Sequence, residues 1–117
     1  MFSMNQSALE IGESLAKYSL KNWREPFDFA KNKLQLLNPS QFVVQTVRAP
    51  GIYFFATIED HNLHLDLNFN AGTGEFLEAV ANIFLKKTQQ LCVFGNIQDV
   101  FLEIENYFST IHNHSNS

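Results

Sequence analysis

Hydrophobic and polar residues alternate with a period of two through much of residues 41–70. The clearest run is 62–70, where Leu63, Leu65, Leu67 and Phe69 fall on one side and His64, Asp66 and Asn68 on the other. That period belongs to a strand with one dry face and one wet face. Residues 52–58 read as the strand before it, with Ile52, Phe54, Ala56 and Ile58 on one face and Tyr53 and Phe55 on the other. Apolar residues on both faces predict cover on both sides. Residues 41–47 are rich in β-branched side chains and read as a first strand. Ala49-Pro50-Gly51 and Glu59-Asp60-His61-Asn62 supply the turns between these strands.

The next segment, 75–87, fits two patterns because it is apolar nearly all round. As a helix, Thr73 would cap it, Glu75 and Glu78 would sit at its positive end and Lys86 and Lys87 at its negative end. As a strand, Leu77, Ala79, Ala81, Ile83 and Leu85 line one face, and 86–90 turns into Leu91-Cys92-Val93-Phe94. The strand reading is preferred and extends the meander from four strands to five, although the alanines favour a helix.

Two helical patterns precede the strands. Ser7 and Glu10 make a capping box, and Leu9, Ala16, Leu20 and Trp23 recur at helical spacing until Pro26. Pro26 stops that helix and can begin another, in which Phe27, Ala30, Leu34 and Leu37 share a side until Asn38-Pro39. Lys31, Lys33 and Gln35 are expected to face water. The last helix is the best amphipathic stripe in the chain: Ile97, Val100, Phe101, Ile104, Tyr107, Phe108 and Ile111, capped by Asn96 with Asp99 in the first turn. The expected fold class is α+β: two N-terminal helices, an antiparallel β-meander of four to five strands and a closing C-terminal amphipathic helix. Residues 1–117 are expected to form a single domain, with 1–6 and 112–117 as loose ends.

Charge changes the picture more than composition does. The net charge is −4, but residues 1–48 carry four acids against six bases, whereas 49–117 carry eight acids and only Lys86 and Lys87. An acidic second half argues against nucleic acid as a partner, because phosphate binding needs clustered bases. It suits a cationic protein instead. One cysteine leaves no internal disulfide framework and fits a reducing compartment. The first residues lack a basic stretch followed by an apolar one, and no apolar run approaches the ~20 residues of a membrane helix. A cytoplasmic location with no membrane contact is the expectation.

Few residues suggest chemistry. His61, His64 and Asp66 are the nearest approach to a metal set, but zinc needs further ligands, and a solvated strand face is the simpler account. Gly72-Thr73-Gly74 lacks the lysine and hydroxyl residue of a phosphate-binding loop. Cys92 lies in an apolar strand, where burial is expected rather than activation. No catalytic group, cofactor or metal is expected, and the chain does not read as an enzyme. Glu59, Asp60 and Asp66, with Asp99 and Glu103 sharing a helix face at i,i+4, are the candidate partner-binding residues.

The order of elements, and above all residues 91–108 (Leu-Cys-Val-Phe-Gly-Asn-Ile-Gln-Asp-Val-Phe-Leu-Glu-Ile-Glu-Asn-Tyr-Phe), resembles small acidic immunity proteins. These are the cytoplasmic antidotes of contact-dependent growth inhibition and polymorphic toxin systems. The resemblance covers mostly the second half and transfers no residue role. It implies a protein that binds a co-encoded toxin, often a cationic nuclease, and blocks its active site or substrate groove; a monomer or weak homodimer is expected. The alternatives are a secretion-effector chaperone, which would be an obligate dimer with large apolar patches, and a small-ligand-binding module with a pocket between sheet and helix.

Overall fold

The computed structural model of the chain describes residues 22–47 and 50–115. The elements run α1 (Arg24–Leu36), β1 (Gln41–Val47), β2 (Gly51–Ile58), β3 (His61–Phe69), β4 (Phe76–Leu85), β5 (Thr88–Gly95) and α2 (Ile97–Ser115). The strands form a single antiparallel sheet in the order β1-β2-β3-β4-β5. The α+β class holds, with two helices among the described residues. The helix expected over 7–25 lies almost wholly outside them.

Its predicted end, however, is corrected. Arg24 and Glu25 belong to α1, which therefore starts before Pro26. Proline is tolerated there because the first-turn N–H groups have no intrahelical acceptor. The chain breaks instead at Asn22, which takes a φ of 54°. Trp23 precedes α1, its carbonyl accepts the Phe27 N–H at 3.1 Å, and its ring meets that of Phe27 edge-on.

Segment 75–87 is a strand with a turn after it. Phe76–Leu85 pairs with β3 on one side and β5 on the other, so both ladders use its backbone. The alanines that favoured a helix have another reason to be there. Ala79 and Ala81 are fully buried under α2, where a larger side chain would hold the helix off.

Alternation fixes the layers. Phe42 and Val44, Phe54, Leu63, Leu65, Leu67 and Ile83 all point to one side and are buried. Both helices pack on that side: α1 through Phe27, Ala30 and Leu34, and α2 through Val100, Phe101, Ile104 and Phe108. Burying each such Leu, Ile or Phe is worth about 1.5–3 kcal/mol. Phe27 of α1 lies against Phe54 of β2, whereas α2 lies over β4 and β5. Phe29 and Phe101 meet edge-on between the helices, and Lys33 on α1 pairs with Glu105 on α2 at 3.2 Å.

The other side of the sheet has no described element on it. The expectation that both faces of β2 are covered is therefore not met among the described residues. Among the described residues, the rings of Tyr53 and Phe55 both meet His64 in the neighbouring strand, and both side chains are half-buried.

The turns explain two further differences. Glu59 and Asp60 take φ values of 48° and 65°, which makes a two-residue hairpin turn of the type that matches strand twist. The turn is thus shorter than the expected 59–62, and His61 becomes the first residue of β3, facing the core at 5% exposure. Similarly, Lys86 at φ 57° and Lys87 close a tight turn, so β5 starts at Thr88.

Candidate partner-binding surface

The five predicted carboxylates do not share one face. Glu59 and Asp60 occupy the β2–β3 turn, at the same end of the sheet as the Lys86-Lys87 turn. Glu59 also borders a cleft of about 440 Å³ with Leu36, Ile58, Glu105 and Phe108. Asp66 stands on the open face of β3, away from both helices. Asp99 and Glu103 ride on α2, on the opposite side of the sheet from Asp66. At about 100° per residue, Glu103 lies roughly 160° around the helix from Glu105. Glu105 faces α1, so Asp99 and Glu103 face outward toward the β5 edge.

Asp99 also has a structural duty. Its backbone N–H donates to the Asn96 Oδ1 at 2.8 Å, and the Asn96 side-chain amide donates to its carboxylate at 2.7 Å. This closes the first turn of α2 in the way the sequence predicts. Gly95 supplies the φ of 138° that leads into the cap, a conformation side chains rarely take.

The open face is the more distinctive surface. No strand contains a Lys or Arg. Outward positions carry Tyr53 and Phe55 on β2, His64 and Asp66 on β3, Glu78 and Phe84 on β4, all part-exposed. His64 is ringed by Tyr53, Phe55 and Phe84 at centroid distances of 5.9, 5.3 and 5.6 Å. The Tyr53 hydroxyl and His64 Nδ1 share a hydrogen bond of 2.5 Å. Tyr53 is directly opposite Asp66 in the ladder. Burial raises the pKa of Asp66 above the usual carboxylate range, and His64 partly offsets it. Burial, with the adjacent Asp66 charge, likewise raises the Tyr53 hydroxyl. The Asp66 carboxylate, part-buried beside Tyr53, therefore has less hydration to lose than a fully exposed one.

Other candidate chemistry is absorbed by the fold. His61 and His64 project to opposite faces and cannot share a metal. The carbonyl of Glu59 accepts from His61 Nδ1 at 2.7 Å, and Nε2 meets the Tyr107 hydroxyl at 3.0 Å. Among the described residues no three His, Cys, Asp or Glu side chains gather as a metal would need. In the β3–β4 loop, the N–H groups of Gly72 and Thr73 donate to Asn70 Oδ1 at 2.7 and 2.9 Å, so they are turned inward. Cys92 is exposed, contrary to expectation, because it takes the outward phase of an edge strand. A second cleft of about 490 Å³ runs between Glu25, Glu75, Leu77 and Ile97. No described helix is long and apolar enough to cross a membrane.

The sequence reading named Asp66 and missed its neighbours. Glu78 and Phe84 become visible only once 75–87 is a strand: register then sets Glu78 opposite Asn68, diagonal to Asp66, and the Phe84 ring against His64. No family model, curated protein or solved structure matches the chain.

Proposed function

We propose that this chain is a non-catalytic inhibitor of the immunity type, which binds a cationic toxin domain, in the first instance a nuclease, in the cytoplasm and keeps it idle. The observation that supports this is the open face of the sheet: Asp66 part-buried opposite Tyr53, two positions along β3 from His64 with its ring of Tyr53, Phe55 and Phe84, on strands without a single Lys or Arg. An aromatic cluster with a partly desolvated carboxylate beside it has the composition of an interface anchor. An arginine of the partner would pair with the carboxylate and stack on a ring. A nuclease that grips phosphates must display such arginines or lysines, and covering them denies access to its substrate.

Asp99 and Glu103 lie on the other side of the sheet and cannot enter the same flat contact. Their role is at long range, adding to the negative field that speeds encounter. Glu59 and Asp60, at the end of the sheet, form part of the rim. Binding is therefore fast and weakens with salt.

Titration of candidate cationic nuclease domains with the purified chain tests this. One equivalent suppresses nucleic-acid cleavage, and Asp66→Lys raises the concentration needed by roughly tenfold or more. Reversing Asp99 and Glu103 to Lys slows association and leaves the dissociation rate nearly unchanged. Failure of every cationic domain to bind, or indifference of the complex to Asp66→Lys, removes the reading.

A further inference from the structure

The open face holds a hydrogen bond whose direction depends on charge. Phe55 stands directly opposite His64 in the β2–β3 ladder, and Tyr53 opposite Asp66. Tyr53 and His64 are therefore diagonal neighbours, and the Tyr53 hydroxyl meets His64 Nδ1 at 2.5 Å. A phenol hydroxyl can donate or accept, and so can a neutral imidazole, but an imidazolium has donors only. Imidazole is also the side chain that ordinarily changes charge between pH 5 and 8.

Few titratable groups share this face with His64. Among the described residues they are Tyr53 on β2, Asp66 on β3 itself, Glu78 on β4 and Cys92 on β5, while β1 presents none. Asp66 and Glu78 are the only carboxylates on the five strands, and no strand has a Lys or Arg to offset them. Lys86 and Lys87 belong to the turn after β4. Burial raises the Asp66 carboxyl and His64 pulls it back, so the two side chains feel each other.

We infer that His64 is a pH gate on the docking of a cationic partner: its protonation offsets one of the two negative charges of the face and reverses its hydrogen bond with Tyr53. This regulation rests on the open face being the docking surface proposed above. With His64 neutral, the phenol is the stronger donor of the pair. It donates to Nδ1 and leaves its own oxygen free to accept from an incoming guanidinium. With His64 charged, Nδ1–H donates to the Tyr53 oxygen, and the hydroxyl hydrogen is turned away from the ring. An arginine of the partner then meets a donor in place of an acceptor, and an imidazolium two positions along the strand from Asp66. Both changes oppose a cation. Affinity falls as pH drops, and by linkage a partner that docks at mildly acidic pH expels a proton from His64 to solvent.

Titration of the full chain with a hexa-arginine peptide tests this, with the amide shifts of Tyr53 and Asp66 followed at about pH 7.5 and about pH 6 and at one ionic strength. Binding weaker by roughly fivefold at the lower pH is expected. His64→Gln, uncharged at both values, flattens that difference, and His64→Asn does the same. Peptide, carboxylates and the other histidines are common to all three chains, so the flattening belongs to His64. Binding as tight at the lower pH as at the higher, or a difference that persists in both variants, overturns the gate and leaves the docking surface standing. Shifts absent from this face at both values overturn the docking surface and the gate with it.

Discussion

The two faces of this sheet are one residue apart in sequence and differ in almost everything else. Phe54 is fully buried between α1 and β1, whereas Phe55, its neighbour, edges His64 on the open side. The two histidines of β3 show the same division. His61 faces inward with both ring nitrogens engaged, and its ring packs edge-on against Tyr107 and Phe108. His64 faces outward among rings that nothing described covers. The lesson is that aromatic content alone does not locate the core. The covered face uses aromatic rings as filling, and the other face holds them with no described element over them.

Mutations can break that contrast. The largest effect is expected from Phe54→Ala, a loss of about 3–5 kcal/mol in denaturant unfolding, because it leaves a cavity between α1 and the sheet. Phe55→Ala at the adjacent position is expected to cost less than about 1 kcal/mol and to weaken partner binding instead. Equal losses at the two positions would mean that the open face is packed like the core.

Next in size is the tie between the β2–β3 turn and α2. Tyr107→Phe removes the hydroxyl that meets His61 Nε2 and is expected to cost about 1 kcal/mol. Asn96→Ala, which uncaps α2, is expected to cost a similar ~1 kcal/mol, seen as faster amide exchange in the first turn of the helix. Neither change touches the open face, so partner binding should be preserved in both.

The smallest effect concerns Asp66 and carries a sign. Its pKa is raised in the folded chain, chiefly by burial, so the folded state retains a proton that the unfolded state has already released. The stability this group contributes is complete below its unfolded pKa and is lost as pH rises through the folded value. Asp66→Asn is therefore expected to be slightly more stable than the wild type at neutral pH, with the advantage vanishing in acid. Thermal melts at both pH values read this. In a complex the preference inverts, since a cationic partner requires the charged carboxylate.

Much of the fold was legible because β3 and α2 each state their period without ambiguity. Leu63, Leu65 and Leu67 specify an inward face, and Asn96 with Asp99 specifies where the helix begins. Segment 75–87 was less legible, since Ala79 and Ala81 suit a helix in isolation and reveal their purpose only when α2 lies over them. His61 was misplaced because the pattern shows that a turn exists, not that two left-handed residues suffice to make it. Cys92 was misplaced because edge position is a property of the whole sheet.

The candidate site was legible only in part. Alternation assigns Asp66 to a face of its own strand, and helical spacing assigns Asp99 and Glu103 to one flank of α2. Neither says that these faces end on opposite sides of the sheet. That relation comes from the order of the strands and from which side the helices take, and no local pattern contains it.

The most direct test of the open face as a docking surface is to map, residue by residue, the amide shifts of the labelled chain on addition of a cationic nuclease domain it inhibits. The account predicts changes concentrated at Tyr53, Phe55, His64, Asp66 and Phe84, with the outward flank of α2 around Glu103 little altered. Changes confined to α2 and the β2–β3 turn, with Asp66 and its aromatic neighbours unmoved, would contradict it.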